Sequence, residues 1–271
     1  MKKTAVPPKV QRMRQTIPTS QNQVALVTGA GDRIGAAIAF ALAMEGYAVI
    51  IHYRSDAVGA KSVRSRIRAE GGRAEILKAD LGKRTQRSTL VGRAAAFFGP
   101  LTVLVNNASI FEPDSARDVD EALWDAHFAV HAEAPVFLAR DFAAQLPEGV
   151  EGNIVNMIDE RVLHPTPAFF SYYLSKSVLW TATRTLAQSL APAVRVNAIG
   201  PGPVLPNSRQ TQAEFDASVE ALPLQRNAGP DSIARGILAI LSMPSFTGQM
   251  LALDGGEHLE FLPKSSPTPR S

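Results

Sequence analysis

Short apolar runs rich in Val, Ile and Leu alternate along this chain with Ala-rich stretches of helical periodicity. That rhythm limits the possible folds more than any other feature of the sequence. The apolar runs fall at 24–28, 48–53, 74–79, 103–106, 153–158, 195–199 and 250–253. The helical patterns lie near 34–45, 57–70, 84–98, 120–145, 168–190 and 230–242. The runs are continuous rather than alternating, so they read as strands buried on both faces. Strands that alternate with helices require a parallel sheet with crossover helices packed above and below it. The chain is therefore read as α/β, a single doubly wound domain of about seven parallel strands. Residues 203–228, rich in Pro, Asn and Gln, break the rhythm and read as a flap rather than a domain boundary.

The bulk properties narrow the function classes. A chain of 271 residues suits one large α/β domain spanning about 21–260. Cysteine is absent, which excludes disulfides, thiolate metal sites and a thiol nucleophile. That composition suits a reducing compartment, and a cytoplasmic location is expected. The start of the chain meets Pro7 and Pro8 with no apolar stretch before them, unlike a signal peptide. The longest apolar run, 36–44, is about half of what a membrane span needs, so no membrane partner is expected. Residues 1–20 and 261–271 carry seven of the 28 Lys and Arg and none of the 25 acids. Both ends read as flexible tails, and the body between them is mildly acidic. No basic, aromatic-interleaved stripe marks the body, so nucleic-acid binding is not expected.

Two constellations carry chemistry. "VALVTGAGDRIGAAIAFAL" is a strand, a turn with Gly29, Gly31 and Gly35, and a helix. Glycines let backbone N–H groups approach an anion, and the helix start adds a partial positive charge. The second strand ends in His52, Tyr53, Arg54 and Ser55, and its first acid, Asp56, comes later. An acid at this tip suits a ribose hydroxyl and an Arg suits a 2′-phosphate, so NADP(H) is the expected cofactor. Arg54 as a plain surface charge is the competing reading.

The second constellation lies further on. Tyr172 and Lys176 are four apart and share a helix face. An ammonium held near a phenol favours the phenolate and lowers its pKa, fitting Tyr172 for proton transfer. Tyr173, three before Lys176, is a second candidate. Asp159 lies at the end of the fifth apolar run, thirteen residues before Tyr172. Ligands of doubly wound sheets bind outside the carboxyl ends of the strands. Asp159, Tyr172 and the Gly29 turn should therefore meet in one crevice.

At residues 22–258 the chain resembles the short-chain dehydrogenase/reductases. The matching stretches are "TGAGDRIG", "ADL" at 79–81, "NNAS" at 106–109, Tyr172-x-x-x-Lys176, "NAIGPG" at 197–202 and "LDGG" at 253–256. The resemblance implies a Rossmann-type sheet in the order 3-2-1-4-5-6-7. It also implies cofactor contacts from Gly29, Arg33, Ile34, His52, Tyr53, Arg54, Ser55, Asp80, Leu81, Asn107, Ala108, Ser109, Tyr172, Lys176, Pro201 and Gly202. Asp159 stands where most members carry Ser, and Arg33 where most carry Gly. Both departures resemble the pteridine-reductase branch. That likeness implies that Arg33, Ser109, Phe111, Asp159 and Tyr172 hold a flat pterin, with Asp159 and Tyr172 transferring protons and Lys176 binding the nicotinamide ribose and tuning Tyr172. His131 stands where related reductases often have Asn, and it either replaces or alters a proton relay. His127 and His131 also have an i, i+4 spacing found in zinc sites, but no third ligand accompanies them and no metal is expected.

The leading expectation is an NADPH-dependent reductase of pterins or dihydrofolate-like substrates. A general ketoacyl-type carbonyl reductase is the second, and an NADPH-binding regulator with vestigial activity the third. The Ala-rich helical patterns at 120–145 and 168–190 suit packing on another subunit, and the family resemblance implies a homotetramer.

Overall fold

The computed structural model describes residues 23–207 and 209–259. The expected tails at 1–20 and 261–271 lie outside the described residues. Seven strands form one sheet: β1 (Val24–Val27), β2 (Ala48–Tyr53), β3 (Arg73–Lys78), β4 (Val103–Asn106), β5 (Gly152–Met157), β6 (Val194–Pro201) and β7 (Met250–Leu253). They lie in the order β3-β2-β1-β4-β5-β6-β7, every pair parallel. The helices are α1 (Arg33–Met44), α2 (Ala57–Ala69), α3 (Arg84–Arg87), α4 (Leu90–Phe98), α5 (Glu121–Phe128), α6 (Ala134–Gln145), α7 (Phe170–Leu190), α8 (Gln212–Glu220) and α9 (Gly229–Ser242).

Successive strand residues point to opposite faces, so each strand feeds two cores. Ala25, Val27, Val49, Ile51 and Val155 pack against Ile38, Leu42, Ile67, Ile233 and Ile237 from α1, α2 and α9. Val24, Leu26, Ile50, Leu104 and Ile154 pack against Leu90, Leu138, Phe142 and Ala187 from α4, α6 and α7. All four residues of β1 and of β4 are buried. Truncating one of these, such as Leu26, to Ala would cost about 2–5 kcal/mol. Two packed layers thus hold the strand ends rigid, and the site stands on those ends.

Three elements differ from the sequence expectation. The single helix expected over 84–98 is two, α3 and α4. Between them Ser88 and Thr89 turn their hydroxyls back onto the carbonyls of Thr85 and Gln86, 3.4 and 3.2 Å away, and compete with the helix ladder. The helix expected over 120–145 is interrupted by a π-helical turn, Ala129–Glu133. Pro135 has no N–H to offer the carbonyl of His131, four residues earlier, and the ladder widens there. The stretch 203–228 contains α8, opened by a capping box in which Thr211 and Glu214 satisfy each other's backbone N–H. "TQAE" carried that signal within an otherwise irregular stretch.

Candidate functional site

Backbone geometry shapes the first part of the crevice. Gly29 sits at φ +61, a left-handed conformation that Gly adopts without strain. A Cβ at Gly35 would lie 2.6 Å from the Asn107 side-chain nitrogen and also meet the Gly29 carbonyl, so helix and turn meet only through Gly. Asn107 fastens the turn by donating its side-chain amide to the carbonyls of Thr28 and Gly29, both at 2.9 Å. The Thr28 hydroxyl accepts from the N–H groups of Asn107 and Ala108 at 2.9 and 3.0 Å. "TG" and "NNA" are thus two halves of one clasp between β1 and β4. The clasp borders a cavity of about 400 Å³.

Every expected cofactor residue from Gly29 to Ser109 lines that cavity: Gly29, Arg33, Ile34, His52, Tyr53, Arg54, Ser55, Asp80, Leu81, Asn107, Ala108 and Ser109. Gly31, Asp32, Asp56, Ile110 and Val130 line it as well. Tyr172, Lys176, Pro201 and Gly202 are outside this lining. Gly202 instead packs on β7, its N–H donating to the Leu253 carbonyl at 3.2 Å. His52 is not a donor for a phosphate: it is 1% exposed, and its Nδ1 accepts from the Gly29 N–H at 3.1 Å. The proton is therefore on Nε2, which donates to the Ala79 carbonyl at 3.0 Å. Burial lowers its pKa to about 4, so it is a neutral strut beneath the turn.

At the rim, Arg54, Ser55 and Asp56 are exposed. The Asp56 carboxylate accepts from the Gly59 N–H at 2.8 Å and caps α2, which turns it to its own helix rather than to a ribose. Arg33 opens α1 at φ 48, a conformation that favours Gly and explains why a side chain there is uncommon. Its guanidinium donates to the carbonyls of Leu205 and Pro206 at 3.4 and 3.1 Å, tying the cofactor turn to the flap.

Asp159 follows β5 and its Oδ1 accepts from the Arg161 N–H at 3.0 Å. Its Oδ2 accepts from the Tyr172 hydroxyl, also at 3.0 Å. Burial raises the Asp159 pKa, against the lowering effect of these two hydrogen bonds and of nearby Lys176. Tyr172, one turn into α7, is 6% exposed. Lys176 places Nζ 5.6 Å from the Tyr172 ring centre and donates to the Met157 carbonyl at 2.8 Å. The expected lowering of the phenol pKa by this ammonium is overturned: burial and the Asp159 carboxylate raise the Tyr172 pKa well above its ordinary value. Tyr172 is thus held as a protonated donor. Burial pushes Lys176 itself down to about 8. Tyr173 packs edge-on to Tyr172 at 5.1 Å, while it is the Tyr172 hydroxyl that meets Asp159.

Phe111 and Phe169 stack at 4.2 Å with their planes 5° apart, and Phe111 meets the Tyr172 ring edge-on at 4.8 Å. Arg209, from the flap, lies 5.7 and 5.9 Å from the two phenyl centres and pairs with Glu112 at 2.7 Å. Sequence reasoning missed Phe169 and Arg209. Phe169 sits at φ 55 just before α7, and nothing in the "AFFSYY" spacing marks which Phe turns inward. His127 and His131 stack with ring centres 5.6 Å apart, and among the described residues no group of His, Cys, Asp and Glu could hold a metal. Among the described residues no helix is long and apolar enough to cross a membrane.

The short chain dehydrogenase family model matches residues 23–217. Pteridine reductase 1 of Leishmania tarentolae is 31% identical over 286 residues, covering 90% of this chain and 98% of that protein. The solved FolM alternative dihydrofolate reductase 1 from Brucella canis, complexed with NADP, is 46% identical with a TM-score of 0.87, covering 90% of this chain and 97% of that one. Its Brucella suis counterpart, also with NADP, is 47% identical with a TM-score of 0.87, covering 90% and 98%.

Proposed function

The chain belongs to the short-chain dehydrogenase family, and from that premise we propose that this oxidoreductase is an NADPH-dependent reductase of a pterin or dihydrofolate-like substrate. The observation that carries the reading is the buried Tyr172 hydroxyl donating to the Asp159 carboxyl group. A general carbonyl reductase needs only a hydroxyl partner for its tyrosine. A buried carboxyl group with a raised pKa exchanges a proton more readily than an exposed one, which suits a substrate whose ring nitrogen must gain a proton.

The crevice fits the cofactor. Gly31 and Gly35 line the cavity at the start of α1, where a helix N-terminus favours a pyrophosphate, and exposed Arg54 stands at the rim for a 2′-phosphate. NADP in the Brucella structures supports the same choice. When bound, NADPH supplies the hydride that goes to the carbon of a C=N bond. Tyr172 and Asp159 deliver the proton to its nitrogen, and Lys176 holds the ribose side while its Met157 contact fixes its reach. Phe111 offers a flat apolar face for the pterin ring. Ser109 and Arg33 bound the substrate on the cofactor side. Pro201 and Gly202 lie at the carboxyl end of β6, where the nicotinamide carboxamide would rest.

A homotetramer built across the α5–α6 and α7 faces belongs to the same proposal, supported by exposed Phe137, Leu174 and Val178 on those helices. Light scattering giving a monomer would remove that part. The function is tested by following NADPH oxidation by purified protein with dihydrobiopterin, dihydromonapterin and dihydrofolate. Turnover of at least one is expected, and none on all three would end the reading.

A further inference from the structure

His131 takes no part in the Asp159–Tyr172 hydrogen bond, yet it is 1% exposed and both nitrogens of its ring are engaged. Its Nε2 lies 3.1 Å from the Ile110 backbone nitrogen and 3.0 Å from the Ser109 hydroxyl. A backbone N–H only donates, so Nε2 carries no proton and accepts. The ring proton is then on Nδ1, 2.8 Å from the Ser175 hydroxyl oxygen. Ser175 in turn gives its own proton to the Tyr172 carbonyl at 2.6 Å. The direction of every bond is fixed by these two backbone groups.

We infer that His131 is a positioning residue: a neutral bridge that pins Ser109 and Ile110 to α7 beneath Tyr172, and not a carrier of protons. The chain of bonds ends on a backbone carbonyl, which has no proton to pass on. A second proton on the ring would set Nε2–H against the Ile110 N–H. The bridge has consequences for the site on both of its sides. Ser109 and Ile110 line the cofactor cavity, the Ser109 hydroxyl interacts with the Tyr172 side chain, and Phe111 follows directly. The ring itself stands edge-on to Tyr172, 5.3 Å away at 90°. The π-helical turn before Pro135 places it there. An Asn at this position would reach Ser175 but stop short of Ile110, so the longer imidazole is what joins the two elements.

The inference rests on the proposed pterin reduction for its kinetic readout, and on cofactor binding for a readout that survives if that reading fails. His131→Gln puts an amide oxygen near the place of Nε2. His131→Asn keeps only a donor near the place of Nδ1, and His131→Ala keeps neither. With dihydrobiopterin and NADPH, the Asn and Ala variants are expected to raise the KM for the pterin roughly tenfold, the effect of one buried donor left unpaired, with kcat nearly unchanged. The Gln variant is expected to stay near wild type with the same pH profile, since an amide cannot relay a proton as an acid. NADPH affinity, read by fluorescence quenching, should weaken in the Asn variant and recover in the Gln variant whether or not any pterin turns over. A Gln variant that loses kcat as fully as Ala, with a displaced pH profile, would overturn the inference in favour of a relay. KM and NADPH affinity unchanged in both Asn and Ala would overturn it as well, leaving a packing role only.

Discussion

Tyr172 and Asp159 share one hydrogen bond, hydroxyl to Oδ2 at 3.0 Å, across a separation of thirteen residues. One side chain is carried by α7, and the other stands two residues past β5, where its Oδ1 accepts from the Arg161 N–H. Burial raises the pKa of both partners, and Tyr172 keeps its proton to donate to the carboxyl group. Removing either oxygen should therefore cost the proton-transfer step while sparing the fold. Tyr172→Phe is expected to lower kcat for a dihydropterin by roughly 100-fold or more, with NADPH binding retained, as read by steady-state kinetics and cofactor fluorescence.

Asp159→Ser separates pterin from carbonyl chemistry. Turnover of dihydrobiopterin should fall by roughly 100-fold, while a simple ketone substrate should be tolerated equally or better. Parallel kinetics on the two substrates check this, and equal pterin turnover in wild type and variant would count against a role for the carboxyl group.

On the proposed reading Arg54 is the residue that selects NADPH over NADH, since His52 is a neutral strut and Asp56 is turned to α2. Arg54→Ala should weaken NADPH binding by roughly tenfold or more, the loss of a charge-assisted hydrogen bond, and leave NADH binding unchanged. Titration with both cofactors measures it.

Much of this arrangement is legible in the amino-acid sequence. The strands at 48–53, 103–106 and 250–253 can be read to the residue because each is a short, mostly apolar run between turn and helix patterns. The meeting of Asp159, Tyr172 and Lys176 follows from strand-end and helix-face positions, which are local facts. What is not legible depends on tertiary partners. The phenol pKa turns on burial and on a carboxylate, which outweigh an ammonium at 5.6 Å from the ring centre. The role of His52 needs the Gly29 N–H from another element. Phe169 and Arg209 reach the site through a left-handed residue and a flap, and neither leaves a periodic trace.

Gly35→Ala should damage the clasp at the cofactor turn. The added carbon would fall 2.6 Å from the Asn107 amide nitrogen and 2.8 Å from the Ala30 Cα. A loss of about 1–3 kcal/mol is expected for such overpacking, together with weaker NADPH binding. Thermal melts with and without NADPH report both.

Glu160, 1% exposed beside Asp159, supplies a stability prediction. Burial first, then the carboxylates of Glu257 and Asp159, push its pKa up to about 8, above an ordinary value of 4.5. The folded state therefore binds a proton that the unfolded state has released over this range. Stability from this group is present at low pH and falls as pH rises from about 4.5 to about 8. Glu160→Gln should flatten that decline, so that the variant gains on wild type in melting temperature at pH 9 relative to pH 5.

The most direct test of the central claim is the pH dependence of kcat/KM for NADPH-driven reduction of a dihydropterin. A rate that requires the proton on the Tyr172–Asp159 pair must fall as pH rises through the pKa of that pair, which burial raises. Wild type should show this alkaline fall, and Asp159→Asn should show a low rate without it. Superimposable profiles for the two proteins would contradict the assignment of the proton to this pair.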